Sequence, residues 1–202
     1  MHENPCIIYR VTVPEPAPVP ADLGTIKALA NPIRQRILDH LREGPATSTT
    51  LAKALGITTG GTSYNLRVLA DHGLVEEVPE LARGRERWWR RVPVDLRFAP
   101  LSHRDDDMRT ALAELEHGFL AADVELFERF RAARDGMGPW GDAMPYSRGE
   151  IRVTLEELLR FFEEYIDLVK RYSRPAGEGP PDARAVHTRF LGFPDPAPPP
   201  DD

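Results

Sequence analysis

Hydrogen-bonding side chains and two adjacent glycines are concentrated in residues 56–69, GITTGGTSYNLRVL. Hydroxyl, amide and guanidinium groups bind phosphate oxygens, and amide and guanidinium groups also form paired hydrogen bonds with base edges in the major groove of DNA. A glycine inside a helix costs roughly 0.5–1 kcal/mol relative to alanine, but it lets the backbone approach another molecule closely. This stretch therefore predicts contact with a nucleic acid.

The helix in this stretch points Leu66 and Leu69 inward, because they continue an apolar face, and its polar residues face outward. We expect Arg67 to bind a phosphate or a guanine and Asn65 to pair with adenine. The predicted contact residues are Thr59, Gly60, Gly61, Thr62, Ser63, Tyr64, Asn65 and Arg67. The alternative is that they are only polar surface and helix-capping residues.

A second group of cations follows in residues 81–97, which hold six arginines and two acidic residues, although the whole chain has a net charge of −6. Local charge decides whether a phosphate backbone is attracted. Arg83, Arg85 and Arg87 lie near the turn of a predicted hairpin, where they are candidates for contacts with the DNA backbone or minor groove. Alternatively, they form a solvated, charged edge strand.

The elements that position these residues can be read from helix starts and stops. Helices are predicted at about 23–30, 32–42, 48–55 and 59–72. Their expected caps are Asp22, Asn31 followed by Pro32, Thr47 or Ser48, and Thr58 or Thr59, and glycines 44, 56 and 73 mark the ends of the last three.

A hairpin is predicted after the fourth helix, within residues 74–93. Strand alternation puts Trp88 with Val92 and Val94 on the more apolar face, which predicts that Trp88 is in the core. Trp89 is then expected to pack on the second half of the chain or to line a ligand pocket. Two short helices joined by a tight turn and followed by a hairpin are typical of a winged helix-turn-helix.

The segments LANPIRQRILDHL, TLAKALGITTGGTSYNLRVLADHGLVEE and GRERWWR resemble winged helix-turn-helix repressors of the ArsR type. They are most similar to a metal-independent branch with a Ser-Tyr-His-Leu-Arg segment and a Gly-Arg-Glu-Arg-Trp-Trp wing. The resemblance covers about residues 21–95, and Asn65 stands where that family usually has histidine. It implies a repressor with the 59–72 helix in the major groove and the hairpin as wing.

The second half differs in composition, with 13 Lys and Arg against 21 Asp and Glu in residues 101–202. Ser102 is expected to cap a long helix over about 103–134. Apolar residues recur along this helix in steps of four and three, which indicates packing against a second helix. The residues predicted to form a homodimer interface are Met108, Leu112, Leu115, Phe119 and Leu126.

The remaining segments predict smaller elements. A capping box at Thr154 and Glu157 opens a helix to about Tyr172. Strands are expected at 7–13, 148–153 and 183–193, the last two pairing in a small sheet. The predicted divisions are an N-terminal arm and Pro-rich linker at 1–20, a winged helix-turn-helix domain at 21–95, a helical dimerisation or accessory domain at 96–193 and a disordered tail at 194–202.

Candidate metal ligands lie on or near the long helix, but their spacing does not favour a site. The residues are His103, Asp105, Asp106, Asp107 and His117. Metal-sensing members of the family that these segments resemble place carboxylate and histidine ligands across their dimer interface. The spacing here does not match their pattern, because the residue three positions after His117 is Leu120. The single cysteine, Cys6, excludes an intramolecular disulfide and a multi-cysteine zinc site. No metal, other cofactor or catalytic residue is expected.

The expected fold class is mainly α with small β elements, a winged helix-turn-helix followed by an α-rich region. The expected function is sequence-specific regulation of transcription by a homodimeric repressor bound to a double-stranded DNA operator. Residues 1–13 lack the basic segment and the long apolar segment of a secretory signal, and no apolar run approaches about 18 residues, so we expect a cytoplasmic, nucleoid-associated protein without a membrane partner. The alternatives are a regulator with a small-molecule effector pocket between its halves and a protein-docking module.

Overall fold

The computed structural model describes residues 6–10, 18–84, 86–174 and 178–196. Its helices are α1 (Leu23–Ala30), α2 (Pro32–His40), α3 (Ser48–Leu55), α4 (Thr59–Asp71), α5 (Asp106–Ala133), α6 (Pro139–Asp142) and α7 (Leu155–Tyr172). Its strands are β1 (Cys6–Arg10), β2 (Pro18–Pro20), β3 (Ala46–Thr47), β4 (Val75–Glu77), β5 (Trp88–Arg91) and β6 (Asp95–Phe98). The expected fold class, mainly α with small β elements, is confirmed.

Local hydrogen bonds explain where the first four helices begin. Asp22 Oδ1 accepts from the Thr25 amide at 2.7 Å, and Asn31 Oδ1 accepts from the Ile33 amide at 3.0 Å. Thr47 and Thr58 cap α3 and α4 in the same way. Such a cap contributes about 1 kcal/mol, because it satisfies an amide that the helix leaves without a partner.

Two small sheets accompany these helices. In the first, β5 pairs antiparallel with β3 and with β4, so that Trp89 lies opposite both Ala46 and Glu77. In the second, β6 pairs antiparallel with β1 and parallel with β2. The predicted N-terminal strand is therefore present as β1, and the end of the predicted linker forms β2. Residues 11–17, which include the rest of both predictions, lie outside the described residues.

One cluster of buried side chains joins the first four helices to both sheets and to the start of α5. Helix α5 packs along α1, and its residues Ala111, Leu112 and Leu115 are buried in the cluster. Leu96 and Phe98 from β6 belong to the same cluster. The core therefore does not stop at the predicted boundary at residue 95.

Trp89, not Trp88, is the tryptophan of the core. Trp89 is 5% exposed, whereas Trp88 is half-buried. The prediction grouped Trp88 with Val92 and Val94, but β5 ends at Arg91, so the alternation does not extend to those two residues. Because β5 is the central strand, its inward face is set by packing on the helices and not by its own composition.

The second half agrees with the sequence at α7 and departs from it elsewhere. Thr154 and Glu157 form the predicted capping box. Helix α5 begins at Asp106 with Asp105 as its cap, because residues 101–103 form a separate 3-10 turn. The strands predicted at 148–153 and 183–193 are absent, and no described residue after Phe98 is in a strand.

Contacts of α7 tie it to two other parts of the chain. The ring of Phe190 packs against Phe161, Phe162 and Tyr165, with ring centroids 5.0–5.7 Å apart. Arg97 Nη2 lies 2.8 Å from the buried carboxylate of Asp95, and Arg97 Nη1 lies 3.6 Å from Glu163 on α7. In the described part of the chain, no helix combines the length and apolar character needed to cross a membrane.

Candidate nucleic-acid interface

Helix α4 presents one polar stripe to solvent. Leu66 and Leu69 are buried, as predicted from their spacing. Gly60, Tyr64 and Arg67 are exposed on another side, and steps of four and three residues keep them on one helix face. We call these three residues the α4 stripe. The Tyr64 side chain is 61% exposed, and among the described residues none forms an ion pair with Arg67.

The structure corrects two of the predicted contacts. Thr62 is fully buried, and its hydroxyl donates to the carbonyl oxygen of Thr58 at 3.0 Å. Asn65 is 9% exposed, and its amide Nδ2 donates to the carbonyl oxygen of Gly61 at 2.9 Å. Both polar groups are used inside the helix-turn-helix, so neither is presented to a phosphate or an adenine. Thr59 is exposed and Ser63 is half-buried.

The glycine pair divides into two different roles. The Gly61 amide donates to Oγ1 of the capping residue Thr58 at 3.1 Å, and a Cβ added at Gly61 would lie 3.1 Å from the same oxygen. The cap therefore explains why Gly61 has no side chain. A Cβ added at Gly60 would meet nothing within 4 Å. Packing within the described residues therefore does not require a glycine at position 60, although a glycine there weakens the helix.

The wing arginines differ in their surroundings. Gly84 adopts a left-handed φ of 64° in the turn, next to the exposed Arg83. Arg87 Nη1 pairs with Glu77 Oε1 across the hairpin at 3.0 Å, and both side chains are exposed. An exposed pair is worth at most about 1 kcal/mol, so a phosphate can replace the carboxylate. Arg85 lies outside the described residues.

The sequence interpretation missed two cations near these elements. Arg34, on α2, is half-buried and lies within electrostatic reach of Tyr64. Arg91, at the end of β5, is largely enclosed, and burial lowers its pKa to about 10, so it stays protonated at neutral pH. No spacing rule identifies either one, because their positions depend on how α2 and β5 pack against distant parts of the chain.

The predicted dimer seam is largely covered within one chain. Leu112 and Leu115 are buried against the core of their own chain, and Met108 and Phe119 pack against the same core. The first two therefore cannot contact a partner chain, which corrects the prediction for them. Leu126, farther along α5, is half-buried.

A different set of apolar side chains on α5 is exposed. Leu120, Val124 and Phe127 are 53%, 62% and 44% exposed. Their spacing of four and three residues places them on one face. We call them the α5 stripe.

The described residues do not assemble a metal site or an aromatic effector pocket. The carboxylate of Asp105 caps α5 by accepting from the Met108 amide at 2.8 Å. Nowhere in the described ranges do three or more His, Cys, Asp or Glu side chains come close enough to hold a metal ion. Several aromatic side chains in the second half pack on one another, as Phe127 does with Phe130. A groove of about 440 Å³ at the α5–α6 corner is lined by polar residues and glycines, among them Arg134 and Asp142.

Helices α3 and α4, the turn between them and the β4–β5 hairpin define a winged helix-turn-helix. A family described as "Helix-turn-helix domain" matches residues 29–78, which run from the end of α1 to just past β4. The chain is 49% identical over 51 residues to the HTH-type transcriptional regulator NmtR of Mycobacterium tuberculosis, a match that covers 25% of this chain and 42% of NmtR. Residues 29–78 are therefore a helix-turn-helix domain, and its resemblance to ArsR-type regulators is confirmed.

Two solved structures are similar over larger parts of the chain but at low TM-scores. A fragment, residues 1–100, of a possible transcriptional regulatory protein from Mycobacterium bovis has a TM-score of 0.31 and 27% identity, covering 48% of this chain and 85% of that one. The adhesin competence repressor AdcR of Streptococcus pyogenes has a TM-score of 0.32 and 14% identity, covering 69% and 79%. The assignment therefore rests on the sequence matches. The chain spans less than half the length of NmtR.

Proposed function

We propose that this protein is a sequence-specific regulator of transcription that places α4 in the major groove of double-stranded DNA and its β4–β5 hairpin on the flanking backbone. The α4 stripe carries this proposal. It combines a cation without a counter-ion among the described residues, an exposed phenol and a position with no side chain on one helix face. An α-helix fits the major groove, and side chains near its start contact bases and phosphates.

We also propose that the regulator acts as a homodimer whose partner covers the α5 stripe. Three large apolar side chains on one exposed helix face support a protein contact there, since burying them removes apolar area from water. A two-fold dimer would carry two copies of α4 to a near-palindromic operator. Repression follows if the bound dimer blocks the polymerase, and the ArsR resemblance favours this sign of control over activation.

The proposal is tested by selecting duplexes from a random-sequence pool with the full chain and measuring their affinity by fluorescence anisotropy. We expect a near-palindromic consensus and affinity that falls steeply with salt, because arginine–phosphate contacts release counterions. Arg67→Ala should weaken binding about tenfold or more, as one charge-assisted hydrogen bond is worth roughly 1.5–3 kcal/mol. Arg129→Ala is the matched control, because Arg129 pairs with Glu125 on α5, at 2.7 Å.

Absence of any enriched sequence and of salt-dependent binding would overturn the proposal. Equal loss of affinity in both variants would show that total charge matters and that the α4 stripe does not.

A further inference from the structure

Arg34 is a half-buried cation whose guanidinium is only partly hydrogen-bonded within the described residues. It lies in the first turn of α2, where Asn31 caps its backbone amide at 3.2 Å. Its side chain is half-buried. The guanidinium Nη2 reaches the carbonyl oxygen of Lys27 at 3.4 Å, a long hydrogen bond, and Nε is buried without a hydrogen-bond partner. Burial lowers the pKa of Arg34, yet a guanidinium remains protonated at physiological pH.

No acidic side chain in the described part of the chain neutralises this charge. Other arginines of the structure have carboxylate partners, such as Arg42 with Asp39 at 3.2 Å and Arg90 with Glu76 at 2.7 Å. For Arg34, no acidic side chain in the described ranges lies within ion-pair distance. A partly desolvated cation without a counter-ion is unfavourable, so a fold that retains one leaves a binding site for an external anion.

The position of Arg34 indicates which anion this is. Helix α2 packs against α4, and the phenol of Tyr64 is the group of the α4 stripe that lies within electrostatic reach of Arg34. A groove-binding helix is flanked by the phosphates of both strands, and a guanidinium presents planar, paired donors that match a phosphate.

We propose that Arg34 binds a phosphate of the DNA backbone beside the α4 stripe and so adds α2 to the interface. This rests on the proposed function, because it requires α4 to lie on DNA. The contact reads no base, since phosphates are the same at every step. It fixes how deeply the Tyr64 side of α4 enters the groove.

The first test compares wild type, Arg34→Gln, Arg34→Lys and the control Arg42→Gln on the selected operator and on an unrelated duplex. Losing one phosphate contact should reduce the slope of log affinity against log salt by about 0.9. Arg34→Gln should weaken binding to both duplexes by the same factor, about tenfold. Arg34→Lys should keep the slope and lose part of the affinity, because lysine retains the charge but lacks the planar pair of guanidinium donors. Arg42→Gln should keep the wild-type slope.

The second test replaces single operator phosphates with neutral methylphosphonates. One position beside the Tyr64 contact should weaken wild-type binding and leave Arg34→Gln unaffected, because the interaction is already lost in that variant. Thermal melting without DNA is measured in parallel. A phosphate-binding role predicts that Arg34→Gln melts at or above the wild-type temperature, whereas a role in holding α2 predicts a lower one.

Three results would separate the inference from the proposed function. If wild type binds no duplex in a salt-dependent way, the proposed function itself fails. If wild type binds and Arg34→Gln keeps the full salt slope, only the inference fails. If Arg34→Gln melts at a lower temperature than wild type, the salt slope of Arg34→Lys and the methylphosphonate series decide. The phosphate contact is overturned if every methylphosphonate position affects wild type and Arg34→Gln equally.

Discussion

The side-chain amide of Asn65 donates a 2.9 Å hydrogen bond to the carbonyl oxygen of Gly61, one turn earlier in α4. This bond uses the group that the sequence predicts for adenine recognition. It also lies beside the cap, since the Gly61 amide donates to Thr58. The start of α4 is therefore held by residues within one turn of one another, and the α4 stripe faces solvent.

Asn65→Asp should destabilise the fold more than it changes sequence preference. The substitution removes the donor and places a carboxylate against the Gly61 carbonyl in a nearly buried position. A buried acceptor without a donor costs about 1–3 kcal/mol. Urea unfolding without DNA measures the loss, and repeated selection from the random pool measures base preference. Asp71→Asn, at the exposed end of α4, is the control and should change neither. A changed consensus at unaltered stability would restore Asn65 as a base-reading residue.

Gly60→Ala should stabilise the free protein and weaken its binding to DNA. The new Cβ meets no atom within 4 Å, so the gain is the helix propensity of alanine, about 0.5–1 kcal/mol. The same Cβ stands on the α4 stripe, so under the proposed function it would hold the backbone away from the DNA. Gly61→Ala should gain less stability, because its Cβ lies 3.1 Å from Thr58 Oγ1 and the cap must adjust. Unfolding curves and anisotropy titrations test both, and wild-type affinity of Gly60→Ala would contradict a close approach at this position.

Val124→Asp should separate the subunits without unfolding them. Val124 is the most exposed member of the α5 stripe, so a charge there is tolerated in water and is costly in a buried interface. Leu112→Ala, on the covered side of the same helix, should instead lower the free energy of unfolding by about 2–5 kcal/mol. Sedimentation velocity gives the mass and urea unfolding gives the stability. A dimer that persists in Val124→Asp would place the interface elsewhere.

The capping box of α7 should make that helix sensitive to acid. Hydrogen bonds from the backbone amide and hydroxyl of Thr154 hold the pKa of Glu157 below its usual value of 4.5. A lowered folded-state pKa means that the stabilisation is present above about pH 4.5 and is lost as the pH falls through the folded value. The NMR titration of Glu157 should therefore have its midpoint below that of an unfolded reference peptide. Thr154→Ala keeps the backbone amide and removes the hydroxyl, so it should move the midpoint only part of the way to the reference. An unchanged midpoint would contradict the role of the hydroxyl.

The first four helices could be predicted from the sequence because their boundaries depend on contacts within four residues. Asp22 with Thr25, Asn31 with Ile33, and the left-handed Gly56 and Gly73 are local features of the backbone. A local hydrogen bond needs no knowledge of the rest of the fold. For the same reason the capping box at Thr154 can be predicted from the sequence. The strands predicted at 148–153 and 183–193 are absent from the structure. A strand needs a partner strand, and its own alternation does not supply one.

Only the tertiary structure decided which faces are covered. The sequence by itself determined that a helix with one polar face, predicted at 59–72, lies beside an arginine-rich hairpin, and that α5 carries apolar repeats. Packing then selected Trp89 over Trp88 and turned Asn65 inward. It also covered Leu112 within the chain and left Val124 exposed. Each of these outcomes depends on residues far away in the sequence, because burial is a property of the space between elements. The same packing brings α2, which carries Arg34, against α4, a contact that sequence spacing alone does not predict.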